Sequence, residues 1–147
     1  MSMRAQPATA MLLATSVLAC GCSGRKAGDP FSYTKVAGKV CYEDGSLIPV
    51  RALVLTFIPL EAVAIDKKFA RPGRAVVDGA SGVFESATTF SPHDGIVTGR
   101  HRVVLGGVDN VQLPESLVPA RYKDQMQSPI EIDTRKQPLE IRVARPK

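Results

Sequence analysis

The chain has 147 residues, enough for one domain of ordinary size, with a net charge of +5 at pH 7 and no tryptophan. Its 12 glycines and 11 prolines are scattered along the sequence, as is typical of an all-β protein with many turns. The basic residues are spread over every segment instead of gathering on one element with aromatic side chains between them, which excludes a nucleic-acid-binding module.

Residues 1–19 have the pattern of a secretory signal peptide. Arg4 precedes an uncharged apolar run over 11–19, which is less than half the roughly 20 residues that a membrane-spanning helix needs. Val17-Leu18-Ala19-Cys20 then resembles the bacterial lipobox, in which the cysteine becomes the first mature residue and carries diacylglycerol on its sulfur. We therefore predict Cys20 as the lipidation site, with Cys22 as the alternative.

The lipid anchor implies a location and a layout for the exported chain. Neither Gly21 nor Ser23 is the Asp that retains lipoproteins at the inner membrane in enteric-type sorting, so the outer membrane is the predicted destination. Residues 20–33 have the Gly, Ser, Pro and charge of a flexible tether, which leaves 34–147 as the domain. Removing the signal peptide lowers the net charge only to about +4, because it contains a single charged residue.

The remaining cysteines do not indicate a metal site. Structural zinc needs four nitrogen or sulfur ligands, and the two histidines lie far from the cysteines in sequence. A disulfide between Cys22 and Cys41 is one possibility. The alternative is that Cys41 is unpaired and is buried as a small hydrophobic side chain. No cofactor is predicted.

Two strands are predicted within Val36–Pro59. The first, near 35–43, alternates apolar and polar residues and is expected to be half-buried, whereas the second, near 52–59, is apolar on both faces and is expected mid-sheet. The intervening Asp44–Pro49 segment has turn residues. The next segment, Leu60–Gly73, has poor apolar spacing and is interpreted as an exposed excursion, with one helical turn as an alternative.

The second half of the chain repeats the pattern of short strand and turn. Residues 74–88 predict a hairpin around Asp78 and Gly82, and this turn lacks the further carboxylates of a calcium loop. A loop over 90–98 holds His93 and Asp94, but no Ser or Cys nucleophile sits in a recognisable elbow, so catalysis is not predicted. His101 is expected on the polar face of the strand near 99–106, and Tyr122 is expected to anchor the connection 109–126.

Seven strands in two packed sheets follow from these patterns. We expect them near 35–43, 52–59, 74–78, 82–88, 99–106, 130–133 and 139–144. The predicted core contains Val40, Leu53, Leu55, Phe57, Phe84, Val103, Leu105, Ile141 and Val143.

Several motifs in this order resemble the transthyretin-like, or carboxypeptidase-regulatory-like, domains of small bacterial lipoproteins. They are V-A-G-K-V-C-Y-E-D-G with L-V-L-T-F-I-P, V-V-D-G-A-S-G-V-F-E, S-P-H-D-G-I-V-T-G-R-H-R-V-V-L, and L-V-P-A-R-Y-K-D with S-P-I-E-I-D. The resemblance implies a seven-stranded Greek-key β-sandwich of the prealbumin type. The same fold hosts 5-hydroxyisourate hydrolase, but this chain lacks that family's terminal Tyr-Arg-Gly-Ser motif.

The predicted function is a non-enzymatic module of the cell envelope, held at the membrane by its lipid. A carbohydrate-binding module and, less strongly, a hydrolase on the same fold are the alternatives. Envelope proteins or polysaccharide are the candidate partners, bound through loops at one end of the sandwich because loops on a rigid scaffold carry most recognition. The candidate binding residues are Asp66, Lys67, Lys68, Phe69, His93 and Asp94.

Overall fold

The computed structural model describes residues 28–61 and 64–147, so Cys20 and Cys22 lie outside the described residues. The described chain is all-β, with two short 3-10 helices at Val108–Asn110 and Ala120–Lys123 and no α-helix. None of the helices in these ranges is long and apolar enough to cross a membrane. The strands are β1 Tyr33–Thr34, β2 Gly38–Tyr42, β3 Ala52–Pro59, β4 Ala64–Ile65, β5 Lys68–Phe69, β6 Gly73–Asp78, β7 Val83–Phe84, β8 Ile96–Val97, β9 Arg100–Gly106, β10 Glu131–Asp133 and β11 Leu139–Val143.

The larger sheet is antiparallel and has the order β10-β9-β3-β6. β3 pairs with β6 on one side and with β9 on the other, so the prediction that this apolar strand lies mid-sheet is confirmed. Its side chains at Leu53, Leu55 and Phe57 are buried, as the two-residue period of a strand requires for one face.

The smaller sheet has the order β11-β2-β7, with β11 parallel and β7 antiparallel to β2. Val40, Cys41 and Tyr42 are all buried, so the expectation of an alternating, half-buried first strand is wrong for this half of β2. Successive side chains of a strand point to opposite faces, so the burial of Cys41 between Val40 and Tyr42 means that both faces of β2 are covered at this point.

The two sheets contribute to one hydrophobic core. All nine predicted core residues are buried, which confirms that part of the prediction. The rings of Phe57 on β3 and Phe84 on β7 lie 6.0 Å apart between centroids and connect the sheets directly. Strands overlap each of the seven predicted ranges, and the four remaining strands, β1, β4, β5 and β8, have two residues each.

The predicted hairpin over 74–88 is wrong for its strands, because β6 belongs to the larger sheet and β7 to the smaller one. The two ends of the segment do meet, since Arg74 and Thr88 form an isolated antiparallel bridge. The local turn chemistry is nevertheless present. The Asp78 carboxylate accepts hydrogen bonds from the backbone N–H of Ala80 (3.4 Å) and Ser81 (3.1 Å), and Gly82 adopts a φ of 71°. This turn carries the chain from one sheet to the other.

The Leu60–Gly73 excursion contains a small hairpin. The alternative prediction for this segment, one helical turn, is wrong. β4 pairs antiparallel with β5, and the two turn residues, Asp66 and Lys67, have φ values of 48° and 63°. Positive φ at both central positions is characteristic of a type I′ hairpin turn. Every described residue from 64 to 69 is exposed, which confirms the exposed character of the excursion.

Tyr122 anchors the connection between β9 and β10, as predicted. Its side chain is buried, and its hydroxyl accepts a hydrogen bond from the backbone N–H of Ala144 (3.0 Å). The Tyr42 hydroxyl donates to the carbonyl of Leu117 (2.8 Å), so the connection is fixed to the smaller sheet at a second point.

Candidate functional site

A cleft of about 530 Å³ lies where the described chain begins, and we call it the entry cleft. Three segments distant in sequence build it: the start of the described chain, the β4–β5 hairpin with the residues after it, and the loop before β8. The lining residues are Gly28, Asp29, Phe31, Lys68, Phe69, Arg71 and Phe90.

A short antiparallel ladder between β1 and β8 brings the first of these segments to the third. It pairs Tyr33 with Val97, and the backbone N–H of Thr98 donates to the carbonyl of Ser32 (2.8 Å). Phe31, Tyr33 and Val97 are buried together in a small core separate from the main one. The packed chain therefore begins within the range predicted as tether.

Asp94 orders the loop that forms one wall of the cleft. Its carboxylate accepts hydrogen bonds from the backbone N–H groups of Thr89 (2.7 Å), Phe90 (2.9 Å) and Ser91 (2.9 Å). A carboxylate that collects several backbone donors fixes a turn as a capping residue fixes a helix start. The role of Asp94 seen here is therefore to position Phe90, not to line the cleft.

Aromatic and charged groups are stacked along the wall of the cleft. The guanidinium of Arg71 lies 4.8 Å from the ring centroid of Phe90, within cation–π range, and the Tyr33 ring meets Phe90 edge-on at 6.0 Å. The Tyr33 hydroxyl donates to the Asp29 carboxylate (2.6 Å). Burial, and then this hydrogen bond, raise the pKa of Tyr33 well above its usual range.

The open side of the cleft combines apolar and cationic surface. The Phe69 side chain is 73% exposed and Phe90 is 40% exposed, although large aromatic side chains are ordinarily buried. Lys68 and Arg71 are exposed beside them, and the Lys68 ammonium donates to the carbonyl of Gly28. Such a surface suits a partner that offers both negative charge and apolar contact.

The structure brings together some of the predicted binding residues and separates others. Lys68 and Phe69 line the entry cleft, and Asp66 and Lys67 form the exposed turn of the hairpin next to it. His93 lies in a different groove, described below. The other five lining residues were not among the predicted binding residues; they are Gly28, Asp29, Phe31, Arg71 and Phe90.

A second groove, of about 890 Å³, runs between the edge strands β6 and β7 and includes His93. There the Nδ1 of His93 lies within hydrogen-bonding distance of the Ser86 hydroxyl, a contact that the sequence did not indicate. Both residues are at the surface, and His93 adopts a φ of 62°. A Ser–His pair alone is not a triad, which also needs a group that orients the base.

His101 lies in the core, so the prediction that it sits on the polar face of its strand is wrong. It is 1% exposed, with its ring 6.4 Å from that of Phe57. Nδ1 is 3.2 Å from the carbonyl oxygen of Gly99, and Nε2 is buried without a hydrogen-bond partner among the described residues. Burial lowers the pKa of His101, against smaller opposing effects of Gly99 and of the charges on Asp133 and Glu61.

This buried imidazole predicts a pH-dependent stability. Below about pH 6.5 the unfolded chain binds a proton at His101 that the folded chain does not, so the free energy of unfolding should fall as the pH drops. One such proton gives a slope of at most about 1.4 kcal/mol per pH unit. Asp133, whose pKa the Arg135 side chain lowers to about 2, loses its contribution only at more acidic pH.

Urea unfolding of the wild type and of His101→Leu, at several pH values between neutral and mildly acidic, measures this dependence. We expect the wild-type stability to fall across this range and the stability of the variant to stay nearly level. Parallel pH profiles for the two proteins would show that His101 is not responsible.

Within residues 28–61 and 64–147, no group of three or more His, Cys, Asp or Glu side chains is placed to hold a metal ion.

Comparison with known proteins found no similar one. No family model matches the chain, and no curated protein and no solved structure matches it either.

Proposed function

We propose that the protein is an exported, lipid-anchored module of the cell envelope, with a binding or structural role that is not enzymatic. Its fold in this proposal is the seven-stranded Greek-key β-sandwich of the transthyretin-like domains. The lipobox-like sequence Val17–Cys20 supports the anchor. The two larger sheets, which share one core, support the sandwich.

The observation that carries the binding role is the composition of the entry cleft. Its open side consists of exposed aromatic rings and fixed cations, which bind by contact and charge. Both histidines of the chain lie elsewhere, because His101 is in the core and His93 is in the groove between β6 and β7. This separation favours binding over hydrolysis as the role of the cleft.

Photo-crosslinking in intact cells tests the proposal. A photoreactive phenylalanine analogue at position 69 should form an adduct with an envelope component, because Phe69 is the most exposed ring of the cleft. The matched control is the same analogue at Val111, which is also exposed but follows β9 at the opposite end of the larger sheet. The proposal predicts an adduct at 69 and little or none at 111.

Mass spectrometry of the adduct then identifies the chemistry of the partner. An adduct with polysaccharide would show a binding role of the carbohydrate-binding kind. Equal labelling at both positions, or none at either, would contradict a binding role for the entry cleft.

A further inference from the structure

The entry cleft carries an exposed aromatic ring among exposed cations. Phe69 is 73% exposed on β5, and Lys67, Lys68 and Arg71 are exposed around it. Side chains of this kind occur at membrane surfaces, where an aromatic or apolar group enters the boundary between headgroups and acyl chains and the cations stay among the headgroups.

Acidic residues also lie near these cations, and most of them are held by hydrogen bonds or ion pairs. The Asp29 carboxylate, which lines the cleft, accepts hydrogen bonds from the Tyr33 hydroxyl (2.6 Å) and the Phe31 N–H (3.0 Å). Glu61 forms ion pairs with Arg100 and Arg135, away from the hairpin tip. Asp94 accepts three backbone hydrogen bonds in the loop that carries Phe90, and Asp66 lies in the hairpin turn itself.

The position at which the chain enters the fold indicates which surface this is. Gly28 lines the cleft, and its carbonyl accepts a hydrogen bond from the Lys68 ammonium. Only seven residues lie between Cys20 and Gly28, so the two Cα atoms are at most about 29 Å apart even when this segment is fully extended. Two of these seven, Arg25 and Lys26, are also basic. With the lipid on Cys20, the entry cleft is therefore the part of the domain tied closest to the bilayer.

We infer that the entry cleft docks on the anionic headgroup surface of the bilayer that holds the lipid anchor. Phe69 enters the headgroup–acyl boundary, and Lys67, Lys68 and Arg71 contact lipid phosphates. The inference rests on the proposed function, because the lipid on Cys20 is what brings the cleft to the surface. Attraction of basic side chains to anionic lipid acts within a Debye length of the surface, about 8 Å at physiological salt, and the short linker keeps the cleft within reach of this zone.

Tryptophan fluorescence can test this docking, because the chain has no tryptophan of its own and an introduced one is the only indole. Phe69→Trp places a single tryptophan on β5 of the full, lipidated protein. This protein is reconstituted into vesicles of phosphatidylcholine, with or without phosphatidylglycerol. In the anionic vesicles we expect the emission to shift to shorter wavelength and to be quenched by lipid with brominated acyl chains. High salt should weaken both effects.

Two matched variants separate docking from mere proximity to the vesicle. Val111→Trp reports on a position with similar exposure at the far end of the larger sheet and should show neither a shift nor quenching. Lys68→Glu with Arg71→Glu, combined with the Phe69→Trp reporter, should lose the shift while the protein stays on the vesicles.

The outcomes distinguish this inference from the proposed function. Protein that stays on anionic vesicles while the Phe69→Trp emission remains that of an indole in water contradicts the docking alone. An equal shift in neutral and anionic vesicles also contradicts it, because the cations would then have no role. Protein that leaves the vesicles altogether contradicts the lipid anchor and, with it, the docking.

Discussion

Phe57→Ala is expected to lower the free energy of unfolding by about 3–5 kcal/mol. The Phe57 side chain is fully buried on β3, and its ring lies 6.0 Å from that of Phe84, which belongs to the other sheet. Truncation removes this contact and leaves a cavity that two paired sheets cannot easily close. Because a domain is typically stable by only about 5–15 kcal/mol, the loss is a large fraction of the total.

Chemical unfolding followed by circular dichroism measures the change, with Val76→Ala as the matched control. Val76 lies on edge strand β6 and is 62% exposed, so its truncation should change stability by no more than about 0.5 kcal/mol. Similar stabilities for the two variants would contradict a shared core in which Phe57 connects the sheets.

Cys20→Ser is expected to release the protein from membranes. A serine hydroxyl cannot form the thioether that holds diacylglycerol, so the variant loses the acyl chains on which stable anchoring depends. Fractionation of cells that produce the wild type or the variant measures the distribution of the protein between membrane and soluble fractions.

Cys22→Ser is the matched control, because it removes a thiol only two residues away. This variant should stay in the membrane fraction. If Cys20→Ser stays in the membrane fraction and Cys22→Ser is released, the lipid is attached to Cys22 instead of Cys20. Retention of both processed variants would contradict a lipid anchor at either cysteine.

The sequence was most informative about strands and core positions. The apolar run of β3 predicts a mid-sheet strand, and the pairing with β6 and β9 confirms this position, although the second face of β3 is only half-buried. His101 could have been placed by the same reasoning. It shares the parity of Val103 and Leu105 on β9, whereas Arg100 and Arg102 point the other way.

Sheet membership could not be read from local sequence. The Asp78–Gly82 turn has the same capping bonds whether its flanking strands pair with each other or separate. What separates β6 from β7 is that β7 pairs with Gly38 and Lys39, more than forty residues earlier. Pairing across such a distance depends on the packing of the whole domain and leaves no signal in the turn itself.

The entry cleft was predicted only in part for a similar reason. The segments 60–73 and 90–98 are predicted from the sequence as loops. The start of the described chain is held beside them by the ladder of β1 and β8, which has two residues in each strand. Such short strands carry no measurable period. The guanidinium of Arg71 lies 4.8 Å from the ring centroid of Phe90. The spacing of these two residues in the sequence does not indicate this contact.

The mass of the N-terminal peptide of the protein purified from membranes tests the central claim most directly. The account predicts a mature chain that begins at Cys20, with diacylglycerol on the sulfur and a further acyl chain on the amino group. A mature chain that begins at another residue and carries no lipid would contradict it.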